Sequence, residues 1–259
     1  MMLYDEGGSG RSILLLHGLM GSAATWRRQI PWLREFGRVH TYDAPGHRRP
    51  PPPELTTEAF VDDLIEHLET VGPSVLVGHS MGALQGWCAA ARRPDLVTAL
   101  VVEDIAPDFR GRTADGWAAM IRAWPQPFPD ADAVRAFFGD VAGQYFLDSF
   151  ELSDDGWRLH GDVDTFEAIS QEWGTRHFWN EWDAVRAPVL LIEGEHTITP
   201  AGQMSRMHSA KPGSVYVRVE GAAHLVHDEA PERYRDAVEG FLRTLGSSEC
   251  RSHSSTEST

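Results

Sequence analysis

Positive charge is in short supply in this chain. Its 259 residues carry 23 Lys and Arg against 38 Asp and Glu, a formal net charge of −15. A phosphate backbone is bound by clustered cations, so no nucleic-acid partner is expected. The acidic surplus reads as a solubility feature and names no substrate. Cysteine is scarcer still, with Cys88 in an Ala-rich helical stretch and Cys250 in a polar tail. No disulfide framework is implied, which fits a reducing compartment. Long apolar runs are missing too: none reaches the roughly 18 residues that span a bilayer. The opening MMLYDEGGSGR has no basic segment followed by an apolar stretch, so no secretory leader is expected. Cytoplasmic location and no integral membrane segment are the resulting expectations.

What is present is strand–helix alternation. Ile13–Leu16, Val75–Val77, Leu100–Val102 and Val189–Ile192 are short and apolar throughout, as in parallel strands covered on both faces. Between the first two, Phe60, Val61, Leu64, Ile65 and Leu68 share one face of a helix that Thr56 or Thr57 can cap. A second helix follows Ser80 and stops before Pro94; a third opens at Pro231. The predicted class is α/β, a mostly parallel central sheet with helices on both faces. Residues 1–106 and 185–245 form this core. From 107 to 184 no strand-like run occurs, but six of nine tryptophans do, and the segment reads as a helical cap over the sheet's carboxyl edge. Residues 246–259 have little to bury and are expected to be disordered.

Three stretches carry chemistry. Ser74–Val77 runs directly into Gly78-His79-Ser80-Met81-Gly82, a G-x-S-x-G between strand and helix. Such a turn exposes a serine Oγ above the sheet edge, and its glycines allow strained, close backbone packing. The strand before it ends in His17-Gly18-Leu19-Met20-Gly21-Ser22. In this architecture the N–H groups of Met81 and Leu19 are the expected oxyanion donors, and His17 buttresses the loop. A final strand, Val215–Val219, leads into Gly221-Ala222-Ala223-His224, which hangs His224 beyond a strand end as the expected base. His227 is read as a supporting or rim residue and His79 as packing beside the sheet. Without an HExxH arrangement or a third ligand, the His224–His227 spacing implies no metal.

Together GHSMG, HGLMGS and GAAHLVHDEAPE resemble the α/β-hydrolase superfamily over roughly residues 3–245. Most members of that superfamily carry the triad acid after the strand corresponding to Pro188–Ile192. Here that loop, Gly194-Glu195-His196-Thr197-Ile198-Thr199-Pro200, contains no aspartate. A subgroup of small bacterial esterases with an HGLFGS-like motif, and their mitochondrial relatives, instead ends the strand after the nucleophile helix in a DIAP-like motif. The present chain is similar to them at Glu103-Asp104-Ile105-Ala106-Pro107. The resemblance implies Asp104 as the acid, and adjacent parallel strand ends about 4.8 Å apart allow it to reach the histidine. Glu195 is the alternative acid, and Glu103 should point to the opposite face.

The expectation is a serine esterase acting by acyl transfer through Ser80, His224 and Asp104 on a small-molecule ester, with no metal or organic cofactor. Phe109, Trp117, Trp124, Phe128, Phe137, Phe138 and Tyr145 suggest an apolar acyl pocket in the cap, or equally the cap's own core. Arg48 to Pro53 reads as a stiff extended segment at the rim. Thioesterase, lactonase and C–C bond hydrolase chemistry share the constellation, as does a non-catalytic ligand binder on the same scaffold.

Overall fold

The computed structural model describes residues 3–112 and 115–253, with the backbone alone for 115–116 and 246–253. The first half of the core comprises β1 (Leu3–Gly7), β2 (Ser12–Leu16), a 3-10 turn (Ala23–Trp26), α1 (Ile30–Leu33), β3 (Arg38–Tyr42), α2 (Thr57–Val71), β4 (Ser74–His79), α3 (Met81–Arg92) and β5 (Val97–Glu103). An insertion follows with α4 (Asp115–Arg122), α5 (Ala131–Asp148), β6 (Phe150–Ser153), β7 (Gly156–Leu159), α6 (Val163–Trp173) and α7 (Trp179–Ala184). The chain then returns through β8 (Val189–Gly194), α8 (Gln203–Ser209), β9 (Val215–Val219), α9 (Val226–Glu229) and α10 (Pro231–His253).

Seven strands form one sheet in the order β1-β3-β2-β4-β5-β8-β9. Only β1 runs antiparallel to its neighbour, β3; the other pairings are parallel. Alternation along each strand feeds two separate hydrophobic layers. Leu14, Leu16, Leu76, Leu100, Val102 and Leu191 face α2, α3 and α7. Ile13, Leu15, Val75, Val77, Val101 and Ile192 face Trp26, Trp32 and the Tyr234, Val238 and Phe241 side of α10. Each fully buried Leu or Ile contributes about 1.5–3 kcal/mol, which is why the middles of the central strands are runs of apolar residues.

Local signals fix the helix ends. Thr56 caps α2, its Oγ1 accepting from Ala59 N–H at 3.3 Å, and Glu58 sits in the first turn. The final helix continues through His253, over part of the 246–259 stretch expected to lack structure; residues 254–259 lie outside the described residues.

The insertion differs from the all-helical reading. β6 and β7 form an antiparallel hairpin, with Ser153 opposite Gly156 across Asp154-Asp155. Its strands have four residues each and bury little beyond Phe150 and Leu159, so they show no apolar run. The cap has its own small core of Ile121, Phe128, Val134, Phe150 and Phe166. Trp182 docks it on the sheet layer, its ring edge-on to Trp87 of α3. Among the described residues no helix is long and apolar enough to cross a membrane.

Candidate active site

The carboxyl ends of β2, β4, β5, β8 and β9 converge under the cap, and Leu19, Ser80, Met81, Asp104 and His224 lie there. Ser80 joins β4 to α3 with φ +49°. The turn is tight enough that a Cβ on Gly82 would stand 2.4 Å from the Leu16 carbonyl oxygen, so α3 can approach β2 only with glycine there. Ser80 N–H donates to Glu103 O at 2.9 Å, pinning the turn to the end of β5. Ser80, Met20 and Asp104 are the non-glycine residues with positive φ among those described. All three belong to this site, consistent with backbone strain concentrating where geometry is demanded.

In the loop after β2, His17 donates from Nδ1 to Gly18 O at 2.8 Å and accepts Ala44 N–H at Nε2, 3.0 Å. Burial keeps its pKa below the ordinary histidine value, as this neutral tautomer requires. Met20 N–H is taken by His47 Nε2 at 3.2 Å and Gly21 N–H by Gly18 O. Among the described residues, Leu19 N–H and Met81 N–H have no acceptor in the protein. Met81 starts α3, so its N–H also lies at the positive end of that helix.

The residues expected as acid and base meet across 120 residues of chain. His224 Nδ1 lies 2.7 Å from Asp104 Oδ2, and the other oxygen accepts Gly194 N–H at 3.0 Å. Asp104 is fully buried. The His224 loop is held on both sides: Glu229 accepts Ala223 N–H and Leu225 N–H, while His224 O accepts from His79 Nε2 at 2.9 Å. His79 is therefore more than packing. Burial, with His224 and His227 nearby, keeps its pKa well below the ordinary value and the ring neutral. Ser80 and His224 line the same cavity; no hydrogen bond joins Ser80 Oγ to the ring among the described residues.

The competing carboxylates are engaged elsewhere. Glu195 accepts Gly221 N–H at 3.0 Å and has Arg218 at 3.9 Å, facing solvent. That backbone N–H, helped by Arg218, holds its pKa below the usual value. Glu103 points the opposite way from Asp104, as strand alternation requires, and meets His227 Nδ1 at 2.8 and 2.9 Å. His227 is buried instead of lying at a rim, its ring stacked on Trp26. Burial opposes its charge, but the Glu103 carboxylate outweighs it and raises the His227 pKa. The two residues are 124 apart in sequence, so no local pattern announces the pair.

A cavity of about 590 Å³ opens above Ser80 and His224, walled by Leu19, Met20, Ile105, Phe109, Trp117, Tyr145, Phe146, Trp173, Ile198 and Leu225. Of the aromatics expected to line a pocket, Phe109, Trp117 and Tyr145 do so. Trp124, Phe128 and Phe138 pack in the cap core, and Phe137 is about half exposed. Arg48 reaches the carbonyls of Asp148 and Phe150 in the cap, and Arg49 pairs with Asp63 of α2. The proline-rich segment thus ties cap to core. Among the described residues no three His, Cys, Asp or Glu side chains gather as a metal site.

A seven-stranded sheet with the elbow at β4 and a cap before β8 matches a known pattern, and the profile of the alpha/beta hydrolase family matches residues 13–237. The chain belongs to the alpha/beta hydrolase family. This hydrolase is 28% identical to the 2-(acetamidomethylene)succinate hydrolase of Mesorhizobium japonicum over 92% of its own length and 90% of the relative's. It is 30% identical to the sn-1-specific diacylglycerol lipase ABHD11 of Mus musculus, over 93% and 83% of the two chains. The crystal structure of E-2-(acetamidomethylene)succinate hydrolase superposes with a TM-score of 0.82 at 25% identity, covering 93% of this chain and 94% of that one.

Proposed function

We propose that this hydrolase cleaves carboxylic esters in two acyl transfers through an acyl-Ser80 intermediate. The observation that carries the reading is the 2.7 Å contact between buried Asp104 and Nδ1 of His224, which lines one apolar cavity with Ser80. A carboxylate accepts only, so Nδ1 carries the proton and Nε2 is left with a lone pair for the serine hydroxyl. Ser80 Oγ attacks the ester carbonyl carbon while His224 Nε2 takes the hydroxyl proton. Charge on the carbonyl oxygen is met by the N–H groups of Leu19 and Met81. The tetrahedral intermediate collapses, the C–O bond to the alcohol breaks, and the imidazolium returns its proton to the leaving oxygen. Water then repeats the sequence on the acyl-serine and releases the acid.

The mouse relative is named as a lipase, which favours an oxygen ester over a thioester or a C–C bond. The cavity's apolar wall suits a small or medium acyl group. The test is turnover of p-nitrophenyl butanoate by wild type and Ser80→Ala. A loss of about 10³-fold or more is expected on removing the nucleophile. Turnover that survives in Ser80→Ala contradicts the assignment, and wild-type binding without turnover makes the protein a ligand binder.

A further inference from the structure

The loop after β8, residues 194–200, lacks the acid that most members of this fold place there, and it has another occupation in this chain. Ile198 lines the cavity, and its carbonyl accepts from Arg112 Nη1 at 2.7 Å. Arg112 stands at the start of the cap and is the only Lys or Arg lining the cavity among the described residues. Arg110, Arg122, Arg135, Arg158 and Arg176, its neighbours in the insertion, each face a carboxylate. Arg112 faces none among the described residues. Its contacts among the described residues are the Ile198 carbonyl and the Phe109 ring 5.9 Å away. The cavity's own carboxylate, Glu229, is occupied by the N–H groups on either side of His224. Arg112 is solvent-exposed, so its guanidinium stands at the mouth of the apolar cavity, where it offers an anion a positive charge and its fork suits a carboxylate.

We infer that Arg112 anchors a carboxylate of the substrate, which makes the preferred substrate an ester bearing a free acid separated from the scissile carbonyl by an apolar stretch. The inference rests on the ester-hydrolase reading above and names its substrate class. The residue is a specificity determinant and takes no part in bond breaking.

Two matched pairs of esters test it. In the first, mono-p-nitrophenyl glutarate is compared with p-nitrophenyl pentanoate, so the acid lies on the acyl side. In the second, 4-carboxyphenyl pentanoate is compared with phenyl pentanoate, so it lies on the alcohol side. The quantity read is the ratio of kcat/KM for the anionic ester to that for its neutral partner. Arg112→Met should lower this ratio about three- to tenfold in one pair, the scale of a solvent-exposed ion pair with good fork geometry. Arg112→Lys should restore part of it, and added salt should depress it in wild type but not in Arg112→Met. If Arg112 merely latches the cap to the 194–200 loop, both esters fall together, the ratio stays constant in both pairs, and the inference is overturned. Calorimetric binding of monoethyl glutarate to Ser80→Ala keeps the claim independent of turnover. Adding Arg112→Met should weaken that binding by a similar factor, and unchanged binding counts against the anchor even if the ester reading has failed.

Discussion

Replacing Asp104 by Asn changes one atom and should remove most of the activity. The carboxylate accepts two protons from fixed donors, His224 Nδ1–H at 2.7 Å and Gly194 N–H at 3.0 Å. An amide has one accepting oxygen and one donating NH₂. With the oxygen kept on Gly194 N–H, the NH₂ faces His224 and forces Nδ1 to accept. The ring proton then moves to Nε2, the nitrogen that must take the Ser80 proton. With the amide reversed, the NH₂ confronts Gly194 N–H, donor against donor, inside a site with no solvent access. The wrong tautomer should cost about 10³–10⁴ in kcat, or about 4–5.5 kcal/mol of transition-state stabilisation. Glu195→Gln removes only an exposed interaction with Gly221 N–H and Arg218, and its effect should stay within about twofold. Initial rates with p-nitrophenyl butanoate, beside thermal melts to exclude unfolding, decide the matter. A folded Asp104→Asn protein with near wild-type kcat, or a Glu195→Gln protein that has lost it, refutes the reasoning.

Two further outcomes follow from the supporting structure. His227→Gln leaves Glu103 buried without its cation and should destabilise by about 3–5 kcal/mol where the pair is fully charged. The His227 pKa is raised in the fold, so the pair's contribution is complete below the unfolded value of about 6.5 and fades as pH rises through the folded value. Urea melts should therefore show the wild-type advantage over His227→Gln widest near pH 6 and narrowing towards pH 9; a gap that widens with pH contradicts the charged pair. Gly82→Ala places a methyl against the Leu16 and His17 carbonyl oxygens, and backbone cannot yield as a side chain does. We expect about 3 kcal/mol or more of lost stability together with at least a tenfold fall in kcat/KM; normal melting and normal rates would show that α3 moves freely.

The central sheet was readable because β2, β4, β5 and β8 are buried on both faces along their middles and so carry the apolar runs Ile13–Leu16, Val75–Val77, Leu100–Val102 and Val189–Ile192. β1 and β3 escaped notice for the opposite reason. LYDEG lies at the sheet edge with charges facing water, and RVHTY carries His40 and Thr41 among its apolar residues. The β6–β7 hairpin left only a turn signal, Asp155-Gly156, where Gly156 has φ +132°. At the site, the elbow and the loop after β2 are contiguous motifs and can be read directly. Asp104 needed the resemblance of Asp104-Ile105-Ala106-Pro107 to a known pattern, since its partner lies 120 residues away. Glu103 with His227, and Glu229 bracketing His224, could be found only once β5 and the loop after β9 were brought together in space.

Covalent labelling tests the acyl-serine claim most directly. Wild-type protein treated with a fluorophosphonate should gain one adduct by intact mass, and peptide mapping should locate it at Ser80. Ser80→Ala should gain none, and His224→Ala should label slowly. An unlabelled wild type, or an adduct on any other residue, would contradict Ser80 as the nucleophile and the mechanism built on it.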